Sequence, residues 1–265
     1  MAGHNLYIKR LLATKQCQGG NLKDAHLARL NLSGADLRGA KLMFANLNGT
    51  NLNGANLSGS ELALANCVAT NLIDADLSGI DAKGINLLDA KLDRAAISGA
   101  DLVFANLVNT QLPEANLSGA SLEGSNLIGA NLAGANLKGA NIAGANLGHA
   151  RLISANLSNA NLNNARLMEA DFSEANLTGA DLRNANLLNA NLAGANLTGA
   201  NLTGANLTGA RLDGAIGIYS GRPEQGRQDL PRPSMRQREV PYISFIQPGS
   251  DRYNNNFSLP SLGLS

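Results

Sequence analysis

The sequence has 265 residues, a formal net charge of +1, 3% aromatic residues and no Trp. It lacks the large side chains that fill a globular core, and its near-zero charge indicates no preference for nucleic acid or anionic membranes. Cys17 and Cys67 lie far apart without a metal-ligand spacing, so we interpret them as reduced, unpaired thiols.

The N-terminal segment 5–16 predicts a short helix with one apolar side. Because a helix of about three turns is marginal alone, we expect it to cap the open end of a repeat array. A basic membrane anchor is the alternative interpretation of this segment. The sequence shows no signal peptide and no run of about 20 apolar residues, which predicts a cytoplasmic protein. The apolar side comprises Leu6, Tyr7, Ile8, Leu11 and Leu12.

From residue 20 to residue 214 the sequence repeats every five residues without a slip in register. Leu occupies most central positions, Asn or Asp usually precedes it, and a small residue usually stands two positions before it. Residues spaced by five do not line up on one side of a helix. The central residue and the small residue two positions before it would instead face the same way in a short extended segment. The Ser-Gly, Thr-Gly and Asn-Gly pairs that follow are typical of turns. The pattern predicts a solenoid of parallel coils around an Ala/Leu core.

The motif resembles the A(D/N)LXX signature of the pentapeptide repeat family. It stands here as Ala35-Asp36-Leu37, Ala55-Asn56-Leu57 and Ala180-Asp181-Leu182, among about 39 consecutive repeats. The resemblance implies an all-β fold, a right-handed quadrilateral parallel β-helix with four repeats per coil. Nearly ten coils at ~4.8 Å each would form a rod roughly 45 Å long. The predicted organisation is a cap helix at 1–19, the β-helix at 20–215 and a tail at 216–265.

The tail differs from the repeats in composition. Residues 216–220 are expected to close the last coil, and 221–239 read as a disordered linker rich in Arg, Gln and Pro. Residues 240–246 form a compact apolar segment that includes Tyr242 and Phe245. We interpret it as a short docking motif in a flexible, irregular tail.

The repeats offer little material for catalysis. His4, His26 and His149 fall in unrelated places, and none stands at a triad or metal-ligand spacing. The glycines follow the turns of the repeat and form no phosphate-binding loop. The sequence therefore predicts no enzymatic activity, no cofactor and no metal site.

The outward residues predict one unusual surface. Residues twenty apart stack in columns, and one column after the central residue reads Val68, Leu88, Val108 and Ile128. The opposite column is mostly Ser and Thr, and the face preceding the aliphatic one adds Phe44, Leu64, Val103 and Phe104. A contiguous apolar patch typically marks an interface. Two alternatives would explain these apolar residues without a partner protein. They could strengthen the parallel ladder by packing on one another, or the chain's own tail or N-terminal helix could cover them.

These features predict a non-enzymatic scaffold or adaptor that binds a partner protein through the aliphatic face and possibly the C-terminal tail. The resemblance to the family implies an alternative, a DNA-mimicking protector of DNA gyrase. The balanced charge of the repeats disfavours that alternative, because a DNA mimic needs dense negative charge. Peripheral membrane association is a third hypothesis. Direct nucleic acid binding is not expected, whereas end-to-end stacking of two copies is an option.

Overall fold

A computed structural model of the chain describes residues 2–218. Its one helix in that range, α1, spans Ala2–Thr14, whereas the sequence predicts a helix over residues 5–16. The helix ends early because Lys15 adopts a left-handed conformation with φ 59°. Its N–H then donates to the carbonyl of Leu11 at 2.9 Å, as in an αL helix cap.

The rest of the described chain winds in coils of twenty residues. Isolated parallel bridges join residues twenty apart, from Gln16–Asp36 to Asn196–Ile216. Between residues 2 and 218 the extended segments are limited to these single bridges. Each side of a coil is only five residues long and contains its own turn. Coil 1 comprises residues 21–40, and each later coil follows in steps of twenty residues. The four faces are numbered in chain order, so that in coil 1 they are residues 21–25, 26–30, 31–35 and 36–40. The solenoid of parallel coils that the sequence predicts is confirmed, as are the four repeats per coil that the family resemblance implies.

Each repeat satisfies its backbone groups in the same way. The Leu22 N–H donates to the Lys41 carbonyl at 2.8 Å, and the Lys41 N–H donates back to Gly20 at 2.9 Å. A third bond closes the turn, from the Ala25 N–H to the Leu22 carbonyl at 3.1 Å. Stacking thus supplies the partners that a five-residue extended segment cannot find within itself.

The core is a narrow column of central and inward side chains that are almost entirely buried. Most repeats contribute one Leu and one Ala. Where the central residue shrinks to Ala82, both inward neighbours, Ile80 and Ile85, are large. The larger inward side chains supply part of the volume that Ala82 lacks.

The residue before the centre, usually Asn, has two structural roles. Asn21 Oδ1 accepts the Lys23 N–H at 3.2 Å, a local turn that caps a free donor. Its counterparts also stack, and Asn71 Nδ2 donates to Asn51 Oδ1 at 3.2 Å one coil away. Asp makes the first bond but has no amide to donate, so it interrupts the ladder.

The two ends of the described array differ. At the N-terminal end, Leu11 of α1 is fully buried and Tyr7 and Ile8 pack against the core. The repeat backbone already begins at Gln16, with Cys17 as its central residue, so it extends into the segment 1–19 that the sequence assigns to the cap. At the other end, Leu202, Leu207 and Leu212 are only half-buried. Between residues 2 and 218, no helix is long and apolar enough to cross a membrane.

Candidate interaction surface

The turn residue, two positions after the centre, has a positive φ throughout the array. Glycine fills 20 of the 39 turn positions between residues 24 and 214, because it adopts this conformation without strain. Apart from three bulky apolar residues, the other turn positions hold small or polar residues. Phe44, Leu64 and Phe104 nevertheless stand in this position on the first face, with φ values of 58°, 58° and 57°. Bulky residues in this conformation cost about 1–3 kcal/mol each. Three such residues in one column constitute a repeated local cost.

These three side chains are also exposed to solvent. Their exposed fractions are 46% for Phe44, 57% for Leu64 and 71% for Phe104. Leu64 lies over Gly84 and Phe104 lies over Gly124, in each case the turn glycine of the next coil. A Cβ at Gly84 would come within 2.8 Å of Leu64 Cδ2, so each apolar side chain depends on the glycine beneath it. Both the backbone strain and the solvent exposure of these apolar side chains are unfavourable in the free protein, a combination typical of a binding surface.

The aliphatic column on the second face is less exposed. Val68, Leu88, Val108 and Ile128 are all half-buried. Their backbone N–H groups donate to Asn side chains, as the Leu88 N–H does to Asn86 Oδ1 at 3.3 Å. Each side chain thus stacks between its neighbours in the column and presents its outer half to solvent.

The two apolar columns are separated rather than contiguous. Between them runs an amide ladder in which Asn86 donates to Asn66 at 3.2 Å and Asn106 donates to Asn86 at 2.9 Å. Val103, on the first face, is half-buried beside the Phe104 turn. The surface consists of an exposed column, a polar ladder and a half-buried aliphatic column.

Charged residues are segregated along the array. Residues 9–41 carry seven Lys and Arg but only Asp24 and Asp36 as acids. Residues 61–123 have the opposite balance, with Lys83, Lys91 and Arg94 among nine acids. These acids are Glu61, Asp74, Asp76, Asp81, Asp89, Asp93, Asp101, Glu114 and Glu123. The small net charge therefore conceals a basic end and an acidic middle.

Ion pairs organise several of these charges. Lys83 Nζ lies 3.0 Å from Asp81 and 2.7 Å from Asp101, and so bridges two coils of the first face. On the third face Arg94 binds both carboxylate oxygens of Asp74 at 2.8 Å, and its hydrogen bonds lower the pKa of that carboxyl. All these side chains are largely exposed, so each pair contributes little to stability.

The two thiols of the chain lie in the core of the repeats. Both cysteines are free and buried, and burial raises the pKa of the Cys67 thiol to about 12. A cavity of about 10 Å³ beside Cys67 has room for one water molecule at most. In the described part of the chain, no group of three or more His, Cys, Asp or Glu side chains is placed to hold a metal ion.

The repeat geometry agrees with a comparison against known families. The sequence matches the pentapeptide repeats, in eight copies, over residues 21–59, 70–107, 115–152, 150–187 and 180–216. The chain belongs to the pentapeptide repeat family. This membership confirms the right-handed quadrilateral β-helix implied by the A(D/N)LXX motif.

Solved structures include several similar pentapeptide repeat proteins. HetL from the cyanobacterium Nostoc sp. strain PCC 7120, involved in heterocyst differentiation regulation, is 36% identical. The match covers 79% of this chain and 94% of HetL, with a TM-score of 0.76. QnrB1, a plasmid-mediated fluoroquinolone resistance protein, is 19% identical over 72% of this chain and 90% of its own, with a TM-score of 0.45. No match was found among curated proteins.

The structure brings the sequence-predicted surface residues of this pentapeptide repeat protein onto two neighbouring faces. Tyr242 and Phe245, predicted in the tail, lie outside the described residues. The strain at Phe44, Leu64 and Phe104 was not part of the sequence prediction. The signal for it is present in the sequence, because each of these bulky apolar residues stands at a turn position that the other repeats fill with glycine or with a small or polar residue.

Proposed function

We propose that the chain is a cytoplasmic, non-enzymatic scaffold that binds a partner protein through the apolar columns of its first and second faces. The observation that carries the proposal is the column of Phe44, Leu64 and Phe104, which are both exposed and held at positive φ. Within one chain the Phe44 ring is contacted by Lys23 Nζ at 5.5 Å, while more than half of the Leu64 and Phe104 surface stays exposed to solvent. Burial against another protein offsets the cost through the hydrophobic effect.

The similarity to HetL supports a regulatory binding role over catalysis. HetL is a protein involved in heterocyst differentiation regulation, and it shares 36% of its residues with this chain in the aligned part. We extend to this chain the general role of a regulatory protein, with no assignment to the same process. The buried thiols and the closed core agree with a function located on the surface.

The alternative of a DNA-mimicking gyrase protector is less well supported. Duplex DNA carries uniform, dense negative charge along its length. The described array instead combines a basic end at residues 9–41 with an acidic segment at residues 61–123. A partner with matching local charges fits this pattern better than an enzyme that binds DNA along the whole rod.

The test uses the second-face column. Leu88→Asp with Val108→Asp is expected to abolish capture of a partner from a lysate of the source organism. Ser98→Asp with Ser118→Asp is the matched control, because these residues occupy the same repeat position on the fourth face of the same coils. Asp93 shows that this position tolerates a carboxylate. Circular dichroism should show that both variants remain folded, and undiminished capture by the first variant would contradict the proposal.

The contribution of the tail is a separate part of the proposal. Tyr242 and Phe245 supply the aromatic side chains of the apolar segment 240–246. Replacing both by Ser in the full chain is expected to weaken capture of the same partner without changing the unfolding midpoint. Equal capture by this variant would restrict the binding surface to the repeats.

A further inference from the structure

We infer that the first face pairs with the first face of a second copy, forming a weak antiparallel dimer whose two-fold axis passes between coils 3 and 4. This inference rests on the proposed function, since it assigns an occupant to the exposed half of the same apolar surface. The second-face column then stays free for another protein. A dimer would present that column twice.

The evidence is the self-complementarity of the face when it is inverted. Two faces related by a two-fold axis perpendicular to the rods oppose like columns and reverse the coil order. Coil 1 then meets coil 6 of the second copy, coil 2 meets coil 5, and coil 3 meets coil 4. The order of side chains along the face can be compared directly with its own reverse.

The apolar residues match in this register. In the turn column Phe44 opposes Phe104. Leu64 opposes Gly84, which is covered by the Leu64 of its own copy, so the two Leu64 side chains meet near the axis. In the column after the centre, Met43 opposes Val103. Each projecting apolar side chain thus meets another apolar side chain, as in the core of an interface.

The charged residues match in the same register. Lys23 of coil 1 opposes Glu123 of coil 6, both at the exposed position after the centre. Lys41 of coil 2 opposes Asp101 of coil 5, both at the position before the centre. Asp101 also contacts Lys83 Nζ of its own copy at 2.7 Å, so Lys41 joins an existing ion pair. Symmetry repeats each pair, so four attractive pairs flank the apolar centre.

Two symmetry-related like-charge pairs stand near the axis, where Glu61 of each copy opposes Asp81 of the other. Lys83 compensates them, because its Nζ lies 3.0 Å from Asp81 and its side chain faces Ala63 of the second copy, two residues after Glu61. Shifting the register by one coil is worse in either direction. One shift keeps only two opposite-charge pairs, Lys41 with Asp81, and opposes Glu61 to Glu61. The other keeps no opposite-charge pair within a column and opposes Lys83 to Lys83.

The size of the face limits the strength of the dimer. Six coils at ~4.8 Å span about 25 to 30 Å, and the contact is one face wide. Such an area is small beside the roughly 800 Å² that each partner buries in a standard stable interface. We therefore expect dissociation constants in the micromolar range or above, with strong dependence on salt.

Sedimentation velocity of the full chain from micromolar to submillimolar concentration tests the inference. At low salt the weight-average mass is expected to rise from 27.4 kDa toward twice that value. K23E and E123K are each expected to weaken association by about tenfold, because each places like charges opposite one another. An equimolar mixture of the two variants restores attraction in both pairs and should associate as the natural chain does.

A second variant separates association from folding. Phe104→Asn removes the most exposed apolar side chain and installs a residue that accepts positive φ. It should therefore raise the urea midpoint while weakening association at least about tenfold. Gly84→Asn would be a poor control, since its Cβ meets Leu64, whereas Gly119→Asn on the fourth face has open space and should leave association unchanged.

A monomer at every concentration overturns the inference, as does association that K23E and E123K leave unchanged or that their mixture does not restore. The result is distinguishable from failure of the proposed function. Leu88→Asp with Val108→Asp leaves the first face intact and should still dimerise. A chain that dimerises in the predicted way but captures no partner retains this inference and loses the scaffold role of the second face.

Discussion

The inward position of the repeat shows how single residues adapt to a core that consists mainly of Ala and Leu. Thr50, Thr70 and Thr110 replace Ala there and are fully buried. Their hydroxyls donate to the carbonyls of Leu27, Leu47 and Leu87 at 2.7, 2.8 and 3.0 Å. Burial of these hydroxyls is compensated, because each hydrogen bond replaces one lost to water.

Ser60 is the exception and provides a prediction at the scale of one atom. Its buried Oγ has no hydrogen-bond partner among the described residues. Ser60→Ala removes an uncompensated hydroxyl and restores the usual inward residue, so we expect it to increase the free energy of unfolding by about 1 kcal/mol. Urea denaturation followed by circular dichroism measures the change.

Ser125→Ala is the matched control. Ser125 occupies the same repeat position and is equally buried, but its Oγ donates to the Leu122 carbonyl at 2.6 Å. Its removal should lower the free energy of unfolding by about 1 kcal/mol. Equal effects of the two substitutions would show that the hydrogen bond is not what distinguishes them.

At the scale of elements, α1 is the only helix in the described range, and its role is to cover the first coil. Gly20 is required there, because a Cβ at this position would collide with the Cys17 sulfur and lie 3.2 Å from the Tyr7 ring. Adjacent leucines in the helix differ completely. Leu11 is fully buried against the coil, whereas Leu12 is 50% exposed.

This difference predicts unequal effects of two neighbouring substitutions. Leu11→Ala should destabilise the cap by about 2–4 kcal/mol, since it opens a cavity at the end of the core. Leu12→Ala should change stability by less than about 0.5 kcal/mol. Amide hydrogen exchange at Leu22 and Leu27 reports the opening of the first coil. Similar exchange in both variants would show that α1 does not cap the array.

The elements also show what sequence reasoning recovers. The register of five determines every central and inward residue, so the buried core was predictable from Leu22 to Leu197. The boundary of the cap was not, because Gln16 and Cys17 depart from the repeat consensus yet adopt its backbone. They adopt it because they pair with the following coil, where the Cys17 N–H donates to the Asp36 backbone carbonyl at 2.8 Å. This pairing is a tertiary contact that the local sequence does not show.

The candidate surface was recovered in part for a related reason. The twenty-residue coil determines which residues share a column, and this identifies Leu88 and Phe104 as apolar residues on a mostly polar exterior. Their exposure depends on neighbours one coil away. Gly124 gives Phe104 room to lie outward, while stacking within its column leaves Leu88 half-buried. The period alone contains no information on these differences.

At the scale of the whole molecule, the described array is directional. Central N–H groups donate toward the following coil, as the Leu182 N–H does to the Asn201 carbonyl at 2.8 Å. The first coil has its end covered by α1. In the last described coil, the N–H groups of Leu202, Leu207 and Leu212 have no backbone acceptor within residues 2–218. Because each coil contacts only its neighbours, stability should decline toward this end.

Hydrogen exchange with residue resolution tests this decline. The N–H groups of Leu182, Leu187 and Leu192 donate to the next coil at 2.8, 2.8 and 2.7 Å. We expect them to exchange on the order of a hundredfold more slowly than the same positions in the last coil. The comparison is direct because both sets are central Leu residues at equivalent repeat positions. The preceding residue is Asp or Asn in the first set and Asn or Arg in the second. Equally slow exchange at Leu202, Leu207 and Leu212 would mean that acceptors from outside residues 2–218 cover the exposed edge, and the directional account of stability would then fail.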